Sequence, residues 1–123
     1  MTDEQVRMHE NLGRIANRWT ALIVQALASG TRRYSELRRE LGGVSHKMLS
    51  QSLRGLERDG IVERKVHPVV PPRVEYSLTP LGQSLVEPLV MLCRWTVQHR
   101  EEIEAARTRY AAAERTRAQV PGK

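Results

Sequence analysis

The residues of this 123-residue chain that could do chemistry fall into a poor set and a rich one. The poor set is the catalytic one. Its four histidines, His9, His46, His67 and His99, are scattered without metal-ligand spacing. The glycines form no phosphate-cradling loop, and the single cysteine, Cys93, stands in no nucleophile–base motif. No enzyme activity, metal or cofactor is expected from such residues. The rich set is the stretch from Ser45 to Gly60, SHKMLSQSLRGLERDG. Wound as a helix, it puts Leu49, Leu53 and Leu56 on one side at i, i+4 and i+7. Lys47, Gln51, Arg54 and Arg58 gather on the opposite side, within roughly 60° of one another at about 100° per residue. A leucine stripe requires a core beneath it. An amide and three cations in a row offer donors and positive charge to a polyanion.

The charge distribution agrees. The formal net charge is +6, and Thr31 to Arg73 holds 10 Lys and Arg against 5 Asp and Glu, while the remainder holds 10 against 9. The basic excess therefore lies almost wholly around the candidate helix, as on a nucleic-acid-binding face. The length suits one compact domain, and 40% hydrophobic residues supply a core that lacks Phe and must be filled by Leu, Val, Ile and Ala. A lone cysteine excludes an intramolecular disulfide framework and suits a reducing cytosol. No run approaches the roughly 18 apolar residues of a membrane span, and the polar N-terminus MTDEQVRMHENLG does not read as a signal peptide. A cytoplasmic protein, nucleoid-associated when bound to DNA, is the expectation.

The elements that must position the basic row can be read around it. Met8, Leu12, Ile15 and Trp19 recur at helical spacing and predict a first helix over about 4–16. Trp19, Leu22, Ile23, Ala26 and Leu27 predict a second that stops at Ser29-Gly30. A third covers about Tyr34 to Leu41 and ends at Gly42-Gly43. Ser45 is the N-cap of the fourth, which Gly60 terminates. The period then changes. Ile61 to His67 is rich in β-branched residues, and Arg73 to Leu78 alternates, with Pro68-Val69-Val70-Pro71-Pro72 between them as the stiff tip of a β-hairpin. Thr79-Pro80 starts a closing helix with Leu81, Leu85, Leu89 and Leu92 in one stripe, and Pro88 within it is expected to kink or restart that helix. Glu101 to Arg117 is charged, Ala-rich and helical. This order of elements is that of a winged helix-turn-helix.

Over residues 30–82, GTRRYSELRRELGGVSHKMLSQSLRGLERDGIVERKVHPVVPPRVEYSLTPLG closely resembles the HxlR-type transcriptional regulators, relatives of the MarR group. Trp19-Thr20, Tyr34-Ser35-Glu36-Leu37-Arg38 and the Val70-Pro71-Pro72-Arg73-Val74-Glu75-Tyr76 wing all match, and the resemblance extends over roughly residues 12–95. It implies a mainly α fold with a small β-hairpin: a single winged helix-turn-helix domain over 1–118, with N- and C-terminal dimerisation helices. The helix-turn-helix would occupy about 34–59, the wing 61–78 and the C-terminal helices 80–117, with 119–123 a disordered tail.

Helix-turn-helix docking sends the N-terminal half of the second helix toward base edges in the major groove. The candidate DNA-binding residues are therefore Ser45, His46, Lys47, Ser50, Gln51 and Arg54. Lys47 and Gln51 are the leading base contacts, because glutamine pairs with adenine and lysine with guanine, and Arg54 is a phosphate ligand. Arg32, Arg33 and Arg38 flank the preceding helix and could clamp the backbone. Lys65 and Arg64 would stand at the wing's base, and Arg73 would enter the minor groove as the resemblance implies. Arg58 and His67 read as surface residues. The stripes at Met8, Leu12 and Ile15 and at Leu85, Leu89 and Leu92 exceed what a small winged domain buries, so they are the expected dimer interface. The function expected is a double-stranded DNA-binding regulator, a repressor by preference, reading a pseudo-palindromic operator as a homodimer and released by a small-molecule effector. Two alternatives stay open: a thiol switch at Cys93, and a winged-helix protein-interaction module. The resemblance fails at one point. Oxidant-sensing members usually carry a cysteine near the N-terminus, and the first 92 residues here contain none.

Overall fold

The structure, a computed structural model, describes residues 1–119. The chain divides into two compact units, Met1–Val90 and Met91 onward. The first unit opens with α1 (Asp3–Ile15), started by a reciprocal cap in which Thr2 Oγ1 accepts the Gln5 N–H and Gln5 Oε1 accepts the Thr2 N–H. Asn17 then caps α2 (Arg18–Ala28) through the Thr20 N–H at 2.9 Å. The predicted helices at Tyr34–Leu41 (α3) and His46–Arg58 (α4) follow, with Ser45 Oγ accepting the Met48 N–H at 3.1 Å. The wing is β2 (Val62–His67) and β3 (Arg73–Leu78).

One element carries no signal in the sequence. Arg32–Arg33 forms a two-residue strand, β1, that pairs antiparallel with β3, giving a three-stranded sheet of order β1-β3-β2. The register sets Arg33 opposite Glu75, Lys65 opposite Glu75, His67 opposite Arg73 and Val62 opposite Leu78. Partners in an antiparallel pair share a face. Lys65, His67, Arg73 and Glu75 therefore stand on one side, and Val62, Arg64, Tyr76 and Leu78 on the other.

The core is aliphatic, as the absence of Phe requires. It joins Ile23, Val24 and Leu27 of α2, Leu37 of α3, Val44, and Leu49, Leu53 and Leu56 of α4 with Ile61, Val62 and Leu89. All the predicted inward leucines of α4 are at most 3% exposed. α5 (Pro80–Gln98) begins where Thr79 Oγ1 accepts the Gly82 N–H, and it runs through Pro88 without restarting. The carbonyl that Pro88 leaves without a donor belongs to Ser84. Both residues are exposed, so water can satisfy that oxygen and the helix continues.

Gly82 sits where a side chain has no room. A Cβ there would lie 2.2 Å from the Ile61 carbonyl oxygen. The same oxygen accepts the Thr79 N–H at 3.1 Å, and Thr79 Oγ1 bonds the Gly60 carbonyl. The end of α4, the root of β2 and the first turn of α5 are thereby held together.

In the second unit, the last part of α5 leads to α6 (Arg100–Ala118), with Trp95 and His99 stacked at 4.4 Å and His99 Nδ1 2.8 Å from the Trp95 carbonyl oxygen. Of the tail expected at 119–123, Gln119 is the C-cap of α6 and 120–123 lie outside the described residues. Among the described residues, no helix is long and apolar enough to cross a membrane.

Candidate nucleic-acid interface

α4 is anchored on one face and open on the other. With Leu49, Leu53 and Leu56 in the core, Lys47, Gln51, Arg54 and Arg58 are exposed, as the spacing predicts. Among the described residues no ion pair neutralises Lys47, Arg54 or Arg58, so their charge is available to a partner. Ser45 spends its hydroxyl on capping α4.

His46 and Ser50, also predicted contacts, are tied to Tyr34, a residue not predicted at the site. The Tyr34 hydroxyl lies 2.6 Å from His46 Nδ1 and 3.2 Å from Ser50 Oγ. The three residues line a cleft between α4 and the sheet, together with Arg54 and Glu57 of α4, Arg64 of β2 and Tyr76 of β3. Arg64 thus faces α4, while Lys65, its neighbour in sequence, is exposed on the opposite face of the wing.

The flanking arginines differ in their commitments. Arg32 is half-buried, its Nε 2.6 Å from Glu40 Oε1, so an internal carboxylate already holds it. Arg33 is exposed at the start of α3, where Glu36 reaches back to accept its backbone N–H at 2.9 Å. Arg38 is exposed in the last turn of α3, where a cation favours the helix dipole. On the wing, Arg73 Nε lies 3.0 Å and His67 Nε2 3.3 Å from one oxygen, Glu75 Oε1. Both nitrogens are shielded and neither hydrogen-bonds that oxygen; the Arg73–Glu75 contact is ionic, and His67 lies beside it. His67, expected at the surface, is instead half-buried in this group.

The residues expected at a dimer interface separate in the same way. Met8 and Leu12 of α1 are 62% and 57% exposed, Leu92 is 53% exposed, and Ile15 and Leu85 are half-buried. Leu89 lies inside the core of its own chain. α1 buries no residue at all. Cys93 is half-buried on α5. A cavity of about 350 Å³ opens where α1 approaches the end of α4 and the start of α5. Ile15, Ile61, Leu81 and Leu85 line it, with Asn11, Arg14, Asp59 and Ser84 at its polar positions. No group of three or more His, Cys, Asp or Glu among the described residues is placed to hold a metal ion.

Known proteins resemble this arrangement closely. The HxlR-like helix-turn-helix family model matches residues 14–104. The HTH-type transcriptional regulator YtfH of Escherichia coli K12 is 50% identical over 109 residues, covering 89% of this chain and 86% of its own. The solved structure of the transcriptional regulator YtfH from Salmonella typhimurium superposes with a TM-score of 0.73 at 48% identity, over 82% of this chain and 90% of that one. The redox regulator HypR in its oxidised form gives a TM-score of 0.69 at 35% identity, over 75% and 95%. The family match spans α2, the helix-turn-helix, the wing and α5, so the chain belongs to the HxlR-like helix-turn-helix family of transcriptional regulators, winged-helix proteins of MarR type.

Proposed function

We propose that this regulator binds a pseudo-palindromic duplex operator as a homodimer, α4 entering the major groove and the wing lying at the minor groove, and that binding represses transcription. The observation that carries the reading is the two-faced α4. Its leucines are locked in the core, which holds Lys47, Gln51 and Arg54 outward on the most basic segment of the chain. Lys47 and Gln51 read base edges, each good pair contributing about 1–3 kcal/mol of discrimination. Arg54, Arg33, Arg38 and Lys65 contact phosphates. Arg32 supports the fold through Glu40 more than it clamps DNA. Arg73 must exchange Glu75 for the minor groove.

The test is a substitution series on duplexes enriched by binding from a random-sequence pool. Lys47→Ala and Gln51→Ala relax sequence preference. Arg54→Ala and Arg73→Ala weaken all duplexes alike, and each phosphate left without its cation lowers the salt slope by about 0.9. Unchanged affinity in all four variants would refute the docking.

A dimer follows from the exposed stripes of Met8 and Leu12 on α1 and Leu92 on α5, apolar surface that a second subunit would cover. Light scattering should give twice the 14.1 kDa chain mass at micromolar concentration. The cavity beside Asp59 is the place proposed for a small-molecule effector, because Asp59 is the C-cap of α4 and a ligand there bears directly on the end of that helix. The likeness to HypR supports a second reading, a thiol switch, for which Cys93 is this chain's one candidate.

A further inference from the structure

The Tyr34 hydroxyl, on the first residue of α3, meets three groups of α4: His46 Nδ1 at 2.6 Å, Ser50 Oγ at 3.2 Å and the His46 carbonyl oxygen at 3.2 Å. The two rings meet edge to face, centroids 5.1 Å apart and planes at 78°. A phenol has one proton to give and two lone pairs. With each proton given to a single acceptor, one arrangement satisfies all three contacts. The hydroxyl donates to the His46 carbonyl and accepts from the Ser50 hydroxyl and from a hydrogen on Nδ1. The nitrogen facing Tyr34 is then protonated in the neutral imidazole and in the cation alike, and Nε2 is the nitrogen whose proton comes and goes. When neutral, Nε2 presents a lone pair, which repels a phosphate oxygen. When protonated, it presents a charged N–H, which attracts one.

We propose that Tyr34 is a positioning residue that holds neutral His46 in the Nδ1–H form, so that His46 grips a DNA phosphate only when protonated and DNA binding tightens as pH falls. This rests on the DNA-binding reading above. The charged and titratable groups facing the same cleft are Arg54 and Glu57 on α4, Arg64 on β2 and Tyr76 on β3. The two arginines oppose an imidazolium and Glu57 supports it, and an arriving phosphate adds its charge on the side of Glu57. The complex therefore binds a proton that the unliganded protein lacks, and linkage fixes the sign: affinity rises with acidity.

The experiment measures affinity and salt slope on a duplex enriched by the wild-type protein from a random pool, at pH about 8 and about 5.5, either side of the ordinary imidazole range. The wild type should gain about tenfold per protomer on acidification, the equivalent of one pKa unit, with a slope steeper by about 0.9. Tyr34→Phe keeps the ring but frees the tautomer, so a neutral Nε2–H can reach phosphate. Its affinity should hold at high pH and gain less than about threefold on acidification. His46→Gln should show the same slope at both pH values, which separates His46 from His9, His67 and His99. A uniform loss in Tyr34→Phe at both pH values would mean a purely structural tyrosine and overturn the proposal, as would a wild-type pH response surviving in His46→Gln. If no duplex is enriched, the DNA-binding reading falls and the proposal with it. If a duplex is bound with no pH dependence, the proposal alone falls.

Discussion

Replacing Gly82 with alanine should damage this fold far more than the same change at Gly55, although both glycines lie within helices. At Gly82 the new Cβ would stand 2.2 Å from the Ile61 carbonyl oxygen, 3.2 Å from its carbon and 3.1 Å from Leu78 Cδ2. Non-bonded carbon contacts settle near about 3.5 Å, so the Ile61 carbonyl must retreat by about 1 Å. That group is backbone, and it is the acceptor for the Thr79 N–H and, at 3.2 Å, for Thr79 Oγ1. Overpacking costs about 1–3 kcal/mol, and weakening a hydrogen bond adds about 1 kcal/mol. The sum is about 3 kcal/mol, which in a domain of this size lowers the melting temperature by about 10–20 °C. At Gly55 nothing lies within 4 Å of the new Cβ. Alanine there removes only backbone freedom from the unfolded chain and should stabilise by about 0.5–1 kcal/mol, or a few degrees. Thermal melts followed by far-ultraviolet circular dichroism, at one fixed protein concentration, compare the pair directly. A Gly82→Ala protein melting within about 2 °C of wild type, or a Gly55→Ala protein melting below it, would refute the reasoning.

Glu75→Gln keeps the side-chain shape but removes the carboxylate that holds Arg73 and His67. Because Arg73 must leave Glu75 when DNA binds, duplex affinity at low salt should rise severalfold with an unchanged salt slope; a slope steeper by about 0.9 would show that Glu75 keeps Arg73 off the DNA in the wild type. Leu49→Ala empties a fully buried position beneath α4 and should cost about 2–5 kcal/mol in denaturant unfolding, with a loss under about 1 kcal/mol contradicting the packing described. Treating the wild type and Cys93→Ser with diamide should leave DNA affinity unchanged in both; release of the wild type alone would establish the thiol switch instead.

Much of the fold was legible because periodicity is local. Leu49, Leu53 and Leu56 declare the buried face of α4, and the opposite face of Lys47, Gln51 and Arg54 follows from helical geometry. Ser45 and Thr79-Pro80 mark helix starts by chemistry confined to a few residues. What stayed hidden depends on distant partners. Two residues, Arg32 and Arg33, carry no period, and they become a strand only because β3 lies beside them. Tyr34 meets His46 and Ser50 across 12 and 16 positions, so nothing near it in sequence announces the cluster. Glu75 reads as the polar half of an alternating strand, yet it decides whether two neighbouring basic groups are free. At Pro88 the helix does not restart, since a helix breaker costs little where water can take over the bond it forfeits.

The three-stranded sheet has one more property, which concerns crowding. A sheet edge is a template for pairing with another chain, and regulators gathered at adjacent sites on DNA bring their wings close together. Of the two edges in the order β1-β3-β2, one is a strand only two residues long, too short to recruit a neighbour. The other, β2, shows Glu63, Arg64 and Lys65 to solvent and runs into Pro68. A second wing laid against it would have to pair three consecutive charged residues and would then meet a residue with no N–H to share. The same short, charged and proline-ended edges that shape the wing therefore also disfavour strand pairing between one wing and another.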